Sequence, residues 1–421
     1  MPFSAITLAS CSLPTSCRFA SIDDAKEEKY RSEIELMGLV KEKLLDGRRT
    51  LGNDPSGSLA CLSVRFALEF NMDGTAGDIV RIQVERHMRL CLAATRTAGR
   101  DTLVTLAGSE PLLAEAAYEL MKGTLSNPVH HLANHRDLNC VDRGRRGELV
   151  AALLIMRACD AARAASGRRW VSVELLPPDK YDILKESFPT FYRDEERLEF
   201  AATFKDYGIW FNHVIKVEKG KMYSADHLWK FITRGAMIMC SDNQEGIDIV
   251  IPICHTRKAL SRHSVTAILV QVKNSERYQL KINKSLFDGM DPISLGLFPD
   301  KVDTKPVIRI VFALAALDAG VDFPIERKRK SHHDNMFTAF DVWCAGLEKE
   351  TFKHIGDDLS SYRLLLERSL RPHDAFELKE DTKMDEETKR LGGSLRRRMA
   401  PLTTDDNAHH AIHLRKSKST A

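Results

Sequence analysis

Two short runs carry residues whose types and spacing can do chemistry. In Gly246-Ile247-Asp248-Ile249-Val250-Ile251-Pro252 an aspartate lies inside an apolar stretch. In Ala267-Ile268-Leu269-Val270-Gln271-Val272-Lys273 a glutamine and a lysine lie two apart at the end of another. Both runs read as buried strands, with apolar residues flanking the polar ones on either face. The period of two in a strand puts Gln271 and Lys273 on the same side. A buried carboxylate, amide and ammonium left unpaired cost roughly several kcal/mol, so they must meet one another, a cation or a hydrogen-bond network. Carboxylate and amide oxygens are ligands for a hard divalent cation, Mg²⁺ or Mn²⁺. Such a cation activates water and stabilises the charge that builds on a phosphodiester, and a neighbouring lysine orients or deprotonates that water. The expected chemistry is metal-assisted phosphodiester hydrolysis, with Asp248 and Gln271 on the cation and Lys273 at the water. A buried Asp–Lys pair in an ordinary α/β core is the plainer reading of the same residues.

The elements that must position these residues can be read around them. The run Arg145-Arg146-Gly147-Glu148-Leu149-Val150 opens a long Ala/Leu-rich helix over 145–163. Strands are expected at Ala236–Cys240, Ile247–Ile253, Thr266–Val272 and Val307–Leu314. Helices are expected at Asp179–Ser187, at Ala225–Thr233 behind the cap Ser224, and near Ser285–Met290. The runs Leu198–Phe204 and Ile209–Val217 also have strand character. Residues 1–55 read as a poorly ordered start with one charged helix near Asp24–Leu45, and 56–140 as a mainly helical region in which Ala76–Ala94 is amphipathic. The α/β domain spans 141–330 with an insertion at 166–235. A helical extension over 331–373 and a disordered basic tail over 374–421 complete the chain.

At these residues the chain resembles the restriction-endonuclease-like superfamily with its PD-(D/E)-x-K signature. Asp248 matches the first acid, and Gln271 and Lys273 match the (D/E)-x-K pair in the form used by the Mrr-like branch. Glu148 matches the glutamate that the first core helix of that family directs into the site. The resemblance covers roughly residues 143–315 and is strongest to members expanded in fungal genomes, some linked with mobile elements or Crinkler-type proteins. It implies an α/β fold with an αβββαβ core, a Mg²⁺ or Mn²⁺ cofactor held by Asp248, Gln271 and Glu148, and cleavage of nucleic acid, DNA foremost. Gln271 stands where an acid is usual, and Ile247 stands where the signature has proline. In some such members a nucleotide-hydrolysing domain precedes the nuclease; this chain has no P-loop, so an NTPase partner is one expectation. The neutral Gln271 also fits a catalytically silent nucleic-acid- or protein-binding module derived from a mobile element.

Composition bounds these readings. With 43% hydrophobic and 29% charged residues the chain is ordinary for a globular protein. No window approaches the roughly 18–20 apolar residues of a membrane-spanning helix, and a nuclear or cytoplasmic location is expected. Residues 388–421 hold eight Lys or Arg against Asp405 and Asp406, so the net charge of +3 comes from the tail and the remainder is net acidic. Nine scattered cysteines with no C-x-x-C pair read as buried thiols rather than a disulfide or zinc framework. There is no G-x-G-x-x-G, H-E-x-x-H or G-x-S-x-G. The run Arg327-Lys328-Arg329-Lys330 can serve as a phosphate-contacting stripe, a localisation patch or a solvated turn. His130, His131 and His135 near Cys140 read as a surface histidine cluster, and Trp210, Trp229 and Trp343 as core anchors.

Overall fold

Apolar runs around the candidate residues form the centre of a sheet. The computed structural model describes residues 24–52, 54–66, 68, 76–97, 100–106, 111–122, 129–130, 132, 143–166, 171–172, 194–217, 223–241, 244–298, 304–324, 328–331, 336–349, 351–352, 355 and 358–367. In chain order the elements are α1 (Asp24–Leu44), α2 (Pro55–Phe66), α3 (Ala76–Arg86), β1 (Leu90–Thr97), β2 (Arg100–Leu106), α4 (Pro111–Met121) and α5 (Arg143–Ser166). Then come β3 (Val171–Ser172), α6 (Asp194–Phe204), β4 (Tyr207–Ile209), β5 (His213–Lys216), α7 (Ala225–Arg234), β6 (Ala236–Met239), β7 (Ile249–His255) and β8 (Val265–Lys273). After these follow α8 (Lys284–Asp288), β9 (Val307–Ala313), β10 (Gly320–Asp322), β11 (Lys328–Lys330), β12 (Met336–Ala345) and α9 (Leu359–Glu367). The fold class is mixed α/β, as expected. These elements fall in one unit, Met1–Glu367.

The large sheet has ten strands, in the order β10-β12-β9-β8-β7-β4-β3, with β6 also on β7, β5 on β6 and β11 on β12. β7 runs antiparallel to β8, from Ile249↔Val270 to Cys254↔Val265. β8 runs parallel to β9, and β9 parallel to β12. One edge of β7 is shared: Ile249 and Val250 pair with β6, and Ile253–His255 pair with β4. Both faces of the sheet are covered, so β7, β8 and β9 are continuous Val/Ile-rich runs rather than alternating ones.

Alternate residues of these strands feed two cores. Ile249, Ile251, Ile268, Val270 and Val272 join Leu149 and Leu153 of α5, Leu59, Leu62 and Phe66 of α2, and Tyr362 and Leu365 of α9. Val250, Ala267, Leu269 and Val311 join Leu228 and Ile232 of α7, Phe287 of α8 and Trp343 of β12 on the other face. Each such side chain contributes about 1.5–3 kcal/mol by leaving water. Trp343 is fully buried and Trp210 nearly so, as their reading as core anchors requires.

Three stretches differ from expectation. The amphipathic run at 76–94 is helical only to Arg86; Met88 takes a positive φ of 61°, and Leu90–Thr97 pairs with Arg100–Leu106 as a hairpin strand. Leu198–Phe204, expected as β, belongs to helix α6, which turns Phe200 and Phe204 onto Phe340 with ring centroids 5.3 Å apart in each pair. Within 331–373, expected to be helical, lies the ten-residue strand β12; among the described residues there, Leu359–Glu367 is the regular helix. The expected helix at 179–187, His131, His135, Cys140, Arg327 and the tail from 374 lie outside the described residues. Lys328, Arg329 and Lys330 form β11.

Candidate metal and catalytic site

The chain reaches Asp248 through Gly246, whose φ of 83° suits glycine. A Cβ on Gly246 would lie 2.1 Å from the carbonyl oxygen of Gly289, so backbone meets backbone where α8 ends. Three hydrogen bonds then fix Asp248 at the mouth of the β7–β8 hairpin. Its N–H donates to the Val270 carbonyl at 2.8 Å, its carbonyl accepts from the Cys240 N–H at 2.8 Å, and its Oδ2 accepts from the Val272 N–H at 2.5 Å. The last registered pairs are Met239↔Ile249 and Ile249↔Val270. Asp248 and Cys240 lie one residue beyond the paired strands, and the Asp248 N–H reaches the carbonyl of Val270, which already pairs with Ile249. The Oδ2 bond to the Val272 N–H then sets the carboxylate against the end of β8, beside Gln271 in sequence.

Gln271 is 7% exposed, and its Oε1 is buried with no hydrogen-bond donor among the described residues. An amide acceptor in that state costs about 1–3 kcal/mol, so the end of β8 holds an oxygen in need of a positive partner. Lys273, the final residue of β8, lies on the same face and is half-buried. Its Nζ is 6.0 Å from the ring centre of Tyr278. Burial pushes the Asp248 carboxyl above the usual carboxylate range, opposed by the Val272 N–H and the Lys273 charge.

Glu148 comes from the other side. It follows Gly147 in α5, and a Cβ on Gly147 would stand 3.1 Å from Asn274 Cβ and 3.2 Å from Val272 Cγ1. The glycine therefore lets the helix lie close against the end of β8. Burial raises the Cys240 thiol pKa, and the charges of Asp248 and Glu148 raise it further, so both carboxylates act on one buried sulfur. Asp248, Gln271 and Lys273 are thus gathered by one hairpin, with Glu148 in electrostatic reach of their neighbour.

Two carboxylates and an orphaned amide oxygen are a donor set that suits a hard divalent cation. Among the described residues no three His, Cys, Asp or Glu side chains form a metal-holding cluster. Sequence reading left two participants out. Tyr278 beside Lys273 has no signal in its spacing. His130, read as part of a surface cluster, bridges Ser361 Oγ (2.6 Å from Nδ1) and Asp358 Oδ1 (3.1 Å from Nε2), with Arg157 on the other Asp358 oxygen at 2.6 Å. The half-exposed imidazole fastens α9 to the body of the protein. Only the closeness of Asp358 and Ser361 in sequence, at the start of α9, hinted at it.

With this geometry established, comparison with known families is informative. The family described as Domain of unknown function (DUF8736) matches residues 53–289, more than half of the chain. The chain belongs to this family. The matched span runs from α2 through α8, takes in Glu148, Asp248, Gln271 and Lys273, and stops before β9 and β12. No curated protein and no solved structure matches the chain.

Among the described residues no helix is long and apolar enough to cross a membrane.

Proposed function

We propose that the protein is a metal-dependent nuclease that hydrolyses phosphodiester bonds in nucleic acid, DNA foremost. The observation that carries this reading is the unsatisfied Oε1 of Gln271, next to Val272, whose N–H holds the Asp248 carboxylate, and two residues before Lys273. The order of elements supports it: helix α5, then, after the stretch from β3 to α7, the antiparallel strands β6, β7 and β8, helix α8, and β9 parallel to β8. Asp248, Gln271 and Glu148 would hold Mg²⁺ or Mn²⁺, which when bound supplies Lewis-acid activation of water and of the scissile phosphate. The chain's own residues do the rest. The Val272 N–H holds the Asp248 carboxylate in place before substrate arrives, and two further hydrogen bonds fix the Asp248 main chain. Lys273, on the same face, orients the attacking water and offers positive charge to the pentacovalent phosphate. The burial that raises the Asp248 pKa also keeps bulk water from screening these charges.

Cleavage of plasmid and oligonucleotide substrates in Mg²⁺ or Mn²⁺ tests the reading. Lys273→Ala is expected to lower the rate by at least ~10²-fold while circular dichroism and melting stay those of a folded chain. Cleavage at the wild-type rate by that variant overturns the assignment. The second reading is a silent binding module. It is favoured by one observation, the neutral Gln271 in place of a third acid, and DNA binding without cleavage that Asp248→Ala leaves unchanged would select it.

A further inference from the structure

Lys273 stands at the very end of β8, where a long flexible side chain has many rotamers open to it, and what limits them lies in the segment that follows. The Tyr278 N–H donates to the Ser275 carbonyl at 3.1 Å, closing a turn that brings the Tyr278 ring beside the Lys273 ammonium. The Arg277 guanidinium carbon lies 5.1 Å from the same ring centre. The turn is held from outside. The indole N–H of Trp343, a fully buried residue of β12, donates to the Gln279 carbonyl at 3.0 Å. The Leu317 N–H donates to Gln279 Oε1 at 3.0 Å. Gly320 of β10 leaves room for Leu280, whose Cδ1 would otherwise lie 2.9 Å from a Cβ there. The chain directly after Tyr278 is therefore fixed by contacts from β12, β10 and the chain before β10, and the Tyr278 ring packs against the core on that face of the sheet.

We propose that Tyr278 is a positioning residue for Lys273: its ring face, held by the Gln279 anchor, restricts the ammonium to the site side of β8 by cation–π attraction. The inference rests on the nuclease reading for its effect on rate, though not for the contact itself. The attraction of an ammonium to an aromatic face favours one rotamer family among several of similar energy. Tyr278 has no part in bond making, and the phenol hydroxyl is not required, so phenylalanine should serve as well.

The test uses the full chain with Tyr278→Phe, Tyr278→Leu and Lys273→Ala. Dimethylation of lysines with ¹³C-formaldehyde gives one NMR signal per lysine, and Lys273→Ala identifies its own. The Lys273 signal is expected to move in Tyr278→Leu and to return towards its wild-type position in Tyr278→Phe, because only the ring produces the shift. In cleavage assays Tyr278→Leu is expected to lower kcat by about tenfold with KM unchanged, and Tyr278→Phe to restore it to within about twofold. An unmoved Lys273 signal in a folded Tyr278→Leu protein overturns the inference. So does a Tyr278→Phe rate as low as that of Tyr278→Leu, or a loss expressed in KM alone. If Lys273→Ala cleaves like wild type, the nuclease reading falls, and the NMR result still decides whether the ring holds the lysine.

Discussion

At the scale of single residues, Asp248 shows what it costs to prepare a charge for use. Its pKa is raised because burial disfavours the ionised form more than the Val272 N–H and Lys273 favour it. The folded chain thus binds this proton more tightly than the unfolded chain does. The stability it contributes is full below the unfolded carboxylate pKa and is lost as pH rises through the raised folded value. Without added cation, Asp248→Asn is therefore expected to melt above wild type at neutral pH, with the gap closing as pH falls into the acid range. Scanning calorimetry across that range checks it. On the proposed nuclease reading, Mg²⁺ or Mn²⁺ would compete with the same proton, and titration calorimetry of the wild type is expected to show binding that fades as pH falls through the raised value. The sequence showed Asp248, Gln271 and Lys273 because polar residues inside apolar runs are conspicuous. It did not show Tyr278, because nothing in a five-residue offset announces a turn whose anchor comes from Trp343.

At the scale of elements, two backbone facts govern the hairpin. Gly246 combines a left-handed φ with a Cβ position that the Gly289 carbonyl already fills, whereas a Cβ on Gly289 would meet nothing nearer than 3.5 Å. Gly246→Ala is expected to lose about 1–3 kcal/mol from φ alone, with more from the clash, and Gly289→Ala to be nearly neutral. Urea denaturation of the two variants separates them. The β9–β12 pair rests on a different device. Arg309 and Asp341, opposite in register and both buried, share two hydrogen bonds of 2.7 Å, and Arg309 also donates to the Phe287 carbonyl at 2.6 Å. Arg309→Met, which strands the Asp341 charge, should lower unfolding free energy by about 3–5 kcal/mol, and Arg309→Met/Asp341→Leu should recover most of it. That pairing explains why β12 was illegible. Its sequence Met336-Phe337-Thr338-Ala339-Phe340-Asp341 contains a buried charge whose two hydrogen bonds from Arg309, 32 residues upstream, no local pattern announces. Strands β7, β8 and β9 were legible because burial on both faces leaves an unbroken apolar run. The hairpin strand β1 was not, since it continues directly from a helical pattern and the break at Met88 is a matter of φ rather than residue type.

At the scale of the whole molecule, the helices before residue 140 are part of the α/β body. Leu59, Leu62 and Phe66 of α2 lie in the same core as Ile249 and Val270. Arg65, almost fully buried, donates to both Asp160 oxygens at 2.8 and 2.9 Å and to the Asn212 carbonyl at 3.1 Å. A chain cut to begin at residue 141 is therefore expected to lack a cooperative melting transition, although it keeps every proposed site residue; heteronuclear NMR dispersion would show it. The insertion at 166–235 is bound into the sheet in a similar way, since β4 and β5 occupy the outer edges of β7 and β6. A protein trimmed of that stretch would display Ile253–His255 and the flank of Ala236–Met239 as unpaired strand edges. Such edges take up any extended chain that meets them, so the segment acts as a guard against self-association of the strands that carry Asp248.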